Sequence, residues 1–173
     1  MQISALRFGN LMLALALLAL TACGFHLRGQ ADLAFQNLYM QGATSSQVAN
    51  ELRRLLKVNG VKVVPATEQS DFQLDLMGES LEKRILSLSG GGKVREFELL
   101  YRVNFRTKAT GSELWGPVQT VEGRRDYSYD DTQLLAKEGE EARLNNDMRS
   151  DAVREIMRRL SAQQATARPD ARN

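Results

Sequence analysis

The chain has 173 residues, of which 43% are hydrophobic and 25% charged, a balance typical of one folded globular domain with tails. Its formal net charge of +2 excludes a general nucleic-acid binder, which would need a strongly basic face, so we expect no nucleic-acid partner. A single cysteine excludes an intramolecular disulfide and needs another explanation.

Residues 1–22 have the anatomy of a signal peptide. Arg7 precedes an apolar run at residues 11–20, and small residues follow that run. The run of about ten residues is too short for a permanent membrane span, which takes roughly 20. Its end, the segment LTAC at residues 20–23, resembles the lipobox of bacterial lipoproteins, in which the cysteine is acylated and the leader is cut before it.

Cys23 is therefore the predicted site of lipid attachment, and residues 23–32 form a predicted lipidated N-terminal linker. Two or more acyl chains hold a protein stably on a bilayer, whereas one chain holds it only marginally. Gly24 stands where many lipoproteins kept at the inner membrane carry Asp, so the resemblance points to the outer membrane. An unmodified Cys23 behind an ordinary leader is the alternative.

The first part of the domain shows the pattern of a strand, a helix and a second strand. A short apolar stretch from Leu33 to Met40 favours the first strand. Ser45 or Ser46 can cap a helix over about residues 46–58, where apolar residues recur at helical spacing. The β-branched run at residues 61–64 predicts the second strand.

Three further strands form a predicted antiparallel meander. Apolar and polar residues alternate from Phe72, and the alternation blurs around residues 78–80, as a β-bulge would make it. Glycines at residues 90–92 predict a hairpin turn. The clearest strand covers residues 96–106, with apolar side chains on one face and Glu, Arg and Asn on the other, and Trp115 to Tyr129 returns as the last strand.

A long amphipathic helix closes the predicted domain. Carboxylates precede an apolar stripe that ends at Leu160, so we expect a helix over about residues 131–160. Residues 161–173 lack such a stripe, which predicts a disordered tail. The whole pattern predicts a single domain at residues 33–160 of the α+β class: a two-layer sandwich, with two helices packed on one face of a four- or five-stranded mixed sheet that contains the meander.

Residues suited to catalysis are sparse. The single histidine, His26, lies close to the expected anchor and is interpreted as a linker residue, and the sequence has no Cys/His zinc cluster, G-x-S-x-G or P-loop pattern. Asp126, Asp130 and Asp131 could form an acid–base pair or a cation site, but helix capping explains the latter two. We expect no enzymatic activity, no cofactor and no metal site.

The predicted hairpin combines basic and apolar side chains near its tip. They are Lys83, Arg84, Lys93 and Arg95, together with Ile85, Leu86 and Leu88. This combination suits a ligand with phosphates and acyl chains, because charge-assisted hydrogen bonds hold phosphates and apolar contact holds the chains. Ordinary cross-strand pairing is the alternative, since Arg84 would lie roughly opposite Glu98.

Five short segments together resemble one known family. They are CGFHLR at residues 23–28, EFEL at 96–99, RDYSYD at 125–130, LAKE at 135–138 and the amphipathic residues 148–160. In this order they resemble the lipopolysaccharide-assembly lipoprotein family LptE, whose members partner the outer-membrane barrel LptD. The segments span nearly the whole chain after the leader.

This resemblance implies a lipoprotein that faces the periplasm, plugs the lumen of an LptD-like β-barrel as a heterodimer and binds lipopolysaccharide. Lys137 lies in the motif that carries a basic ligand contact in the family, although an i, i+4 ion pair with Glu141 on a solvated helix face would also explain it. The family's second basic contact falls on the glycine-rich tip, so Lys93 or Arg95 is the substitute. The alternative function is that of an accessory lipoprotein in another envelope transport system.

Overall fold

The computed structural model describes residue 33, residues 35–109 and residues 111–167, so the leader, Cys23, His26 and the end of the predicted tail lie outside the described residues. The elements are β1 (Asn37–Gly42), α1 (Gln47–Val58), β2 (Lys62–Val64), β3 (Phe72–Leu88), β4 (Val94–Ala109), β5 (Gln119–Ser128) and α2 (Leu134–Ala167), with single 3-10 turns at Thr67–Gln69 and Asp131–Gln133.

The strands form one mixed sheet in the order β2-β1-β3-β4-β5. β1 runs parallel to both of its neighbours, β2 and β3. β4 runs antiparallel to both of its neighbours, β3 and β5. The predicted meander is therefore confirmed, and the number of strands is five.

α1 has the bounds that its capping residues predict. The side-chain oxygen of Ser46 accepts a hydrogen bond from the Ala49 N–H at 3.1 Å, which satisfies one of the free donors of the first turn. At the other end Gly60 adopts a positive φ of 80°, which stops the helix. The apolar face of the helix is buried through Val48, Leu52 and Leu56.

β1 begins at Asn37, later than the apolar stretch from Leu33 predicts. Phe35 is buried because its ring stacks on that of Phe72 with centroids 4.8 Å apart, outside any strand ladder. Apolar content therefore predicts burial here but not strand pairing. β1 ends at Gly42, whose φ is +81°, and the N–H of Ala43 donates to the Leu76 carbonyl at 2.7 Å before the chain turns away.

The β3–β4 hairpin is longer than the rest of the sheet. Opposite β4 the register of β3 shifts between Leu76 and Gly78, which leaves Met77 as the extra residue of a bulge, one residue before the predicted position. Beyond the bulge β3 continues to Leu88, while β1 stops beside Leu76. Among the described residues no strand pairs with the outer edge of β3 from Gly78 to its tip.

β5 begins at Gln119 rather than at Trp115. Gly116 donates one hydrogen bond to the Thr107 carbonyl at 2.8 Å, but Pro117 follows and has no N–H to continue the ladder. The Trp115 ring instead packs against the guanidinium of Arg106, whose Cζ lies 4.9 Å from the centroid of the ring.

α2 extends to Ala167, beyond Leu160 where its apolar stripe ends, so residues 161–167 are helical and not part of a tail. One polar contact lies in this extension, where the Thr107 hydroxyl donates to the Gln163 side chain at 2.8 Å. At the start of the helix, Asp130 caps the 3-10 turn by accepting from the Thr132 N–H at 3.0 Å. The predicted role of Asp130 in capping is confirmed.

Both helices pack on the same face of the sheet, which confirms the predicted two-layer α+β class. The side chain of Ser150 in α2 donates to Glu51 in α1 at 2.7 Å, joining the two helices directly. The core between the layers consists of fully buried side chains: Leu38, Leu74, Leu99, Val103 and Phe105 from the sheet, Leu52 and Leu56 from α1, and Met148, Ile156 and Leu160 from α2.

The opposite face of the sheet is covered by ion pairs instead of a second layer. Arg102 pairs with Glu122 at 2.8 Å, Arg124 with Glu98 at 2.7 Å and Arg106 with Asp75 at 2.8 Å. These side chains alternate along β4 and β5 with core residues, as the period of a strand requires. We call this surface the outer face.

Candidate functional site

One end of the sheet brings the hairpin tip next to the start of α2. A groove of about 400 Å³ lies between them, and its lining includes Lys93 and Arg95 from the hairpin and Tyr129 and Asp131 from the segment before α2. The Tyr129 N–H donates to the Arg95 carbonyl at 2.7 Å, so the backbone itself holds the two segments together. We call this region the distal end.

Lys137 projects from the first turn of α2 toward the end of β5. Its ammonium group donates to the Ser128 hydroxyl at 3.1 Å and to the Glu140 carboxylate at 2.9 Å. The expected i, i+4 pair with Glu141 is wrong, because Lys83 and Tyr127 occupy that carboxylate. The Lys137 side chain is only 15% exposed, so its position is fixed by its neighbours and not free in solvent.

Lys93 and Lys137 both contact the stretch from the end of β5 to the start of α2, Lys93 at Asp131 and Lys137 at Ser128. Hydrogen bonds from the Thr132 hydroxyl and N–H lower the pKa of Asp130, and the positive charges of Lys137 and Lys93 lower this pKa further. Lys93 also pairs with Asp131 at 3.3 Å. The structure thus brings together two basic residues that are more than forty positions apart in the sequence.

Arg95 adds a third cation to the distal end. Among the described residues it has no carboxylate within ion-pair distance, in contrast to Lys93 and Lys137. It alternates with Glu96 on β4, so it shares the face of Phe97, which contacts the Tyr129 ring at 5.0 Å. Three of the four candidate ligand residues therefore converge.

The fourth candidate, Arg84, lies elsewhere. It is directly opposite Glu98 in the hairpin register, as the cross-strand alternative predicts, and it forms an ion pair with Glu82. Glu98 is itself bound by Arg124 on the outer face. Arg84 therefore belongs to the ion-pair lattice of the outer face and not to the distal end.

A cluster that sequence reasoning missed fixes the hairpin to α2. The ammonium group of Lys83 lies 2.6 Å from Glu141 and 4.1 Å from the centre of the Phe97 ring, and the Tyr127 hydroxyl donates to Glu141 at 2.6 Å. Burial alone would raise the pKa of Glu141, but the hydrogen bonds from Lys83 and Tyr127 outweigh it and lower the pKa. No local spacing signals this cluster, because Lys83 and Glu141 come from distant parts of the chain.

We predict that Glu141→Gln lowers the free energy of unfolding by about 1 kcal/mol at neutral pH, because it weakens two hydrogen bonds, one of them charge-assisted. A depressed carboxylate pKa contributes stability above its ordinary value of 4.5, and this contribution is lost as the pH falls below it. Denaturant unfolding at pH 7 and pH 3 should therefore show a gap between wild type and variant at pH 7 that narrows at pH 3. An equal gap at both values would contradict the role of this carboxylate.

Exposed apolar side chains surround the cations of the distal end. They are Ile85, Leu86 and Leu88 on the hairpin and Leu134 and Leu135 at the start of α2. Scattered exposed apolar residues are ordinary, but several at one end of the molecule, beside cations, suit an amphiphilic ligand. The arrangement can bind negatively charged groups through Lys93, Arg95 and Lys137 and apolar groups through its rim.

The described part of the chain offers no group of three or more His, Cys, Asp or Glu side chains placed to hold a metal ion. Within the same residues, no helix has the length and apolar character needed to span a bilayer.

The fold and the distal end define a class of protein: a small two-layer α+β module with one basic and apolar end. The chain belongs to the LptE family, described as lipopolysaccharide-assembly, whose model matches residues 34–160. The sequence resemblance is thereby confirmed.

Curated relatives and solved structures agree with this membership. The chain is 31% identical over 159 residues to the LPS-assembly lipoprotein LptE of Photorhabdus laumondii, covering 89% of this chain and 85% of the relative. Against the protein of the same name from Yersinia pestis the identity is 29% over 158 residues, covering 89% and 75%.

Two solved structures share the fold at substantial sequence identity. The solution structure of an uncharacterized lipoprotein B from Nitrosomonas europaea superposes with a TM-score of 0.71 at 39% identity, covering 82% of this chain and 93% of that one. The crystal structure of the rare lipoprotein B from Shewanella oneidensis gives a TM-score of 0.69 at 31% identity, covering 76% and 98%.

Proposed function

We propose that the chain is an outer-membrane lipoprotein, acylated on Cys23, that plugs an LptD-like β-barrel and binds lipopolysaccharide during its insertion into the outer leaflet. In this role the protein assists assembly of the barrel and carries out no catalysis. Membership of the lipopolysaccharide-assembly family and the lipobox-like residues 20–23 support the proposal.

The observation that carries the ligand proposal is the convergence of Lys93, Arg95 and Lys137 at the distal end. Lipopolysaccharide presents phosphates next to acyl chains, and such a ligand needs cations beside apolar surface. Lys93 pairs with Asp131 and Lys137 pairs with Glu140, so each ammonium group faces a carboxylate. A phosphate, which carries more charge than a carboxylate, can compete for these ammonium groups.

The outer face supports the plug role. Lumens of large membrane barrels are polar, so a plug inside one should present mixed charge rather than an apolar patch. Arginines and carboxylates alternate across the outer face and neutralise each other, as at Arg102 with Glu122 and at Arg106 with Asp75. Such a surface can lie against a polar wall with most of its charges paired.

We predict that Lys137→Glu lowers the affinity for lipopolysaccharide about tenfold, because it replaces a positioned cation by a negative charge facing the ligand phosphates. Arg84→Glu is the matched control, since it makes the same kind of charge reversal on the outer face and should change affinity little. Binding is measured by titration in moderate salt, where exposed charges away from the site are screened. Equal losses in both variants would contradict a site at the distal end.

The barrel partner is tested by purifying a tagged chain from outer membranes. The proposal expects a large β-barrel in equal amount to the chain. Recovery of an inner-membrane transporter instead would favour the accessory-subunit alternative.

A further inference from the structure

The opposite end of the sheet carries a second groove, of about 480 Å³, between α1 and the edge strand β2. Three cations, Arg53, Lys57 and Lys62, line it, together with Val63 and Pro65. We call it the basic groove. Neither the family motifs nor the distal end includes any of these residues.

Positive charge is concentrated around the basic groove. Residues 44–66 contain Arg53, Arg54, Lys57 and Lys62 but only one carboxylate, Glu51, and that carboxylate accepts a hydrogen bond from Ser150. Within the described chain none of the four cations has a carboxylate at ion-pair distance. Most cations of the rest of the described chain are paired, among them Lys83, Lys93, Arg102, Arg106, Arg124, Arg125, Lys137, Arg154 and Arg159.

Apolar side chains stand beside these cations. Val58, at the end of α1, is 74% exposed, and Val63 of β2 is 36% exposed. A basic groove with an apolar margin fits the interface of a lipid bilayer, where cations meet headgroups and short apolar side chains reach the boundary with the acyl chains.

The chain enters the folded domain beside this groove. The Lys62 N–H donates to the Gln36 carbonyl at 2.8 Å, at the point where β1 and β2 begin. Ten positions separate Cys23 from Leu33, and a chain of that length spans at most about 35 Å. Acyl chains on Cys23 would therefore hold the start of the folded domain within about 35 Å of the bilayer that carries them.

We propose that the basic groove binds the headgroups of anionic phospholipids in the leaflet that carries the acyl anchor. This proposal rests on the acylation of Cys23 in the proposed function, but not on lipopolysaccharide binding or on the barrel. Each Lys or Arg near an anionic membrane surface is attracted to it, and the attraction decays within a Debye length. The anchor gives attachment, and the basic groove gives the end of the domain that carries it a second contact with the same leaflet.

The test measures how fast lysines are acetylated in the acylated full-length mature protein. The protein is reconstituted in phosphatidylcholine vesicles with or without about 30% phosphatidylglycerol, an anionic lipid fraction that gives a negative surface potential. Mass spectrometry then reports acetylation of Lys57 and Lys62, with Lys108 of β4 as internal reference. We expect the anionic lipid to slow both lysines about fivefold relative to Lys108, and high salt to remove the difference.

Matched variants distinguish protection by the basic groove from protection by the overall charge of the domain. Lys57→Glu should restore most of the acetylation rate of Lys62 on anionic vesicles, whereas Arg84→Glu on the outer face should leave that rate slow. The proposal would be overturned if, in the wild type, each of Lys57 and Lys62 were acetylated as fast on anionic vesicles as on neutral ones. Protection on neutral vesicles that requires a co-purified protein would overturn it as well, by assigning the groove to an acidic protein surface.

The intact mass of the same sample reports the acyl chains. An unacylated mature chain would end both this proposal and the anchor of the proposed function. An acylated chain with unprotected lysines would end this proposal alone.

Discussion

Replacing Cys23 by alanine is expected to abolish both lipid attachment and cleavage of the leader. The thiol of Cys23 is the group that receives the lipid in the lipobox pattern that residues 20–23 resemble. Each buried CH₂ of an acyl chain contributes about 0.8 kcal/mol, so several chains give attachment that does not reverse. Without them, the mature domain would have only its surface charges to hold it on a membrane.

The measurement is labelling with a radioactive or alkyne fatty acid, followed by the intact mass of the chain. Gly24→Ala is the matched control, because it changes the neighbouring residue and keeps the thiol, and it should be labelled like the wild type. A Cys23→Ala chain that is cleaved but unlabelled would indicate an ordinary signal peptide and contradict the anchor.

Gly42→Ala is expected to lower the free energy of unfolding by about 3 kcal/mol or more, the largest stability effect that we predict. Gly42 has a φ of +81°, where a side chain is strained, and an added Cβ would lie 2.2 Å from the Leu76 carbonyl oxygen. That carbonyl is backbone, and it already accepts the hydrogen bond from Ala43, so it cannot move away without breaking the junction of β1 with β3.

Gly60→Ala separates the backbone strain of a positive φ from the steric clash of the added Cβ. Gly60 has nearly the same φ, +80°, but nothing lies within 4 Å of its added Cβ, so only the backbone strain of about 1 kcal/mol applies. Denaturant unfolding of both variants should show the larger loss at Gly42. Equal losses would mean that β1 can shift away from Leu76 at little cost.

Local patterns predicted much of the fold because they reflect contacts within a segment. The alternation along β4 follows from one buried and one solvated face, and Ser46 caps α1 through atoms three residues away. Contacts between distant segments were not predictable in the same way. Gln163 of α2 accepts a hydrogen bond from Thr107, and nothing near residue 163 in the sequence signals this contact.

The candidate site shows the same division. The sequence predicted cations near the hairpin tip and grouped Arg84 with Lys93 and Arg95. The strand register places Arg84 opposite Glu98, on the outer face. The sequence could not show that Glu141 is occupied by Lys83, which leaves Glu140 as the partner of Lys137. The sequence does not predict the basic groove, because its cations are contributed by a helix and a strand that meet only after folding.

The outer edge of β3 beyond Gly78 bears on how copies of this chain behave toward one another. Unpaired strand edges are templates on which identical chains can stack into fibres. The bulge at Met77 and a second register shift near Ser87 bend this edge. Lys83 and Arg84 add charges to the same part of β3. Bulges, register shifts and charges of this kind are devices that keep exposed strand edges from pairing with other chains.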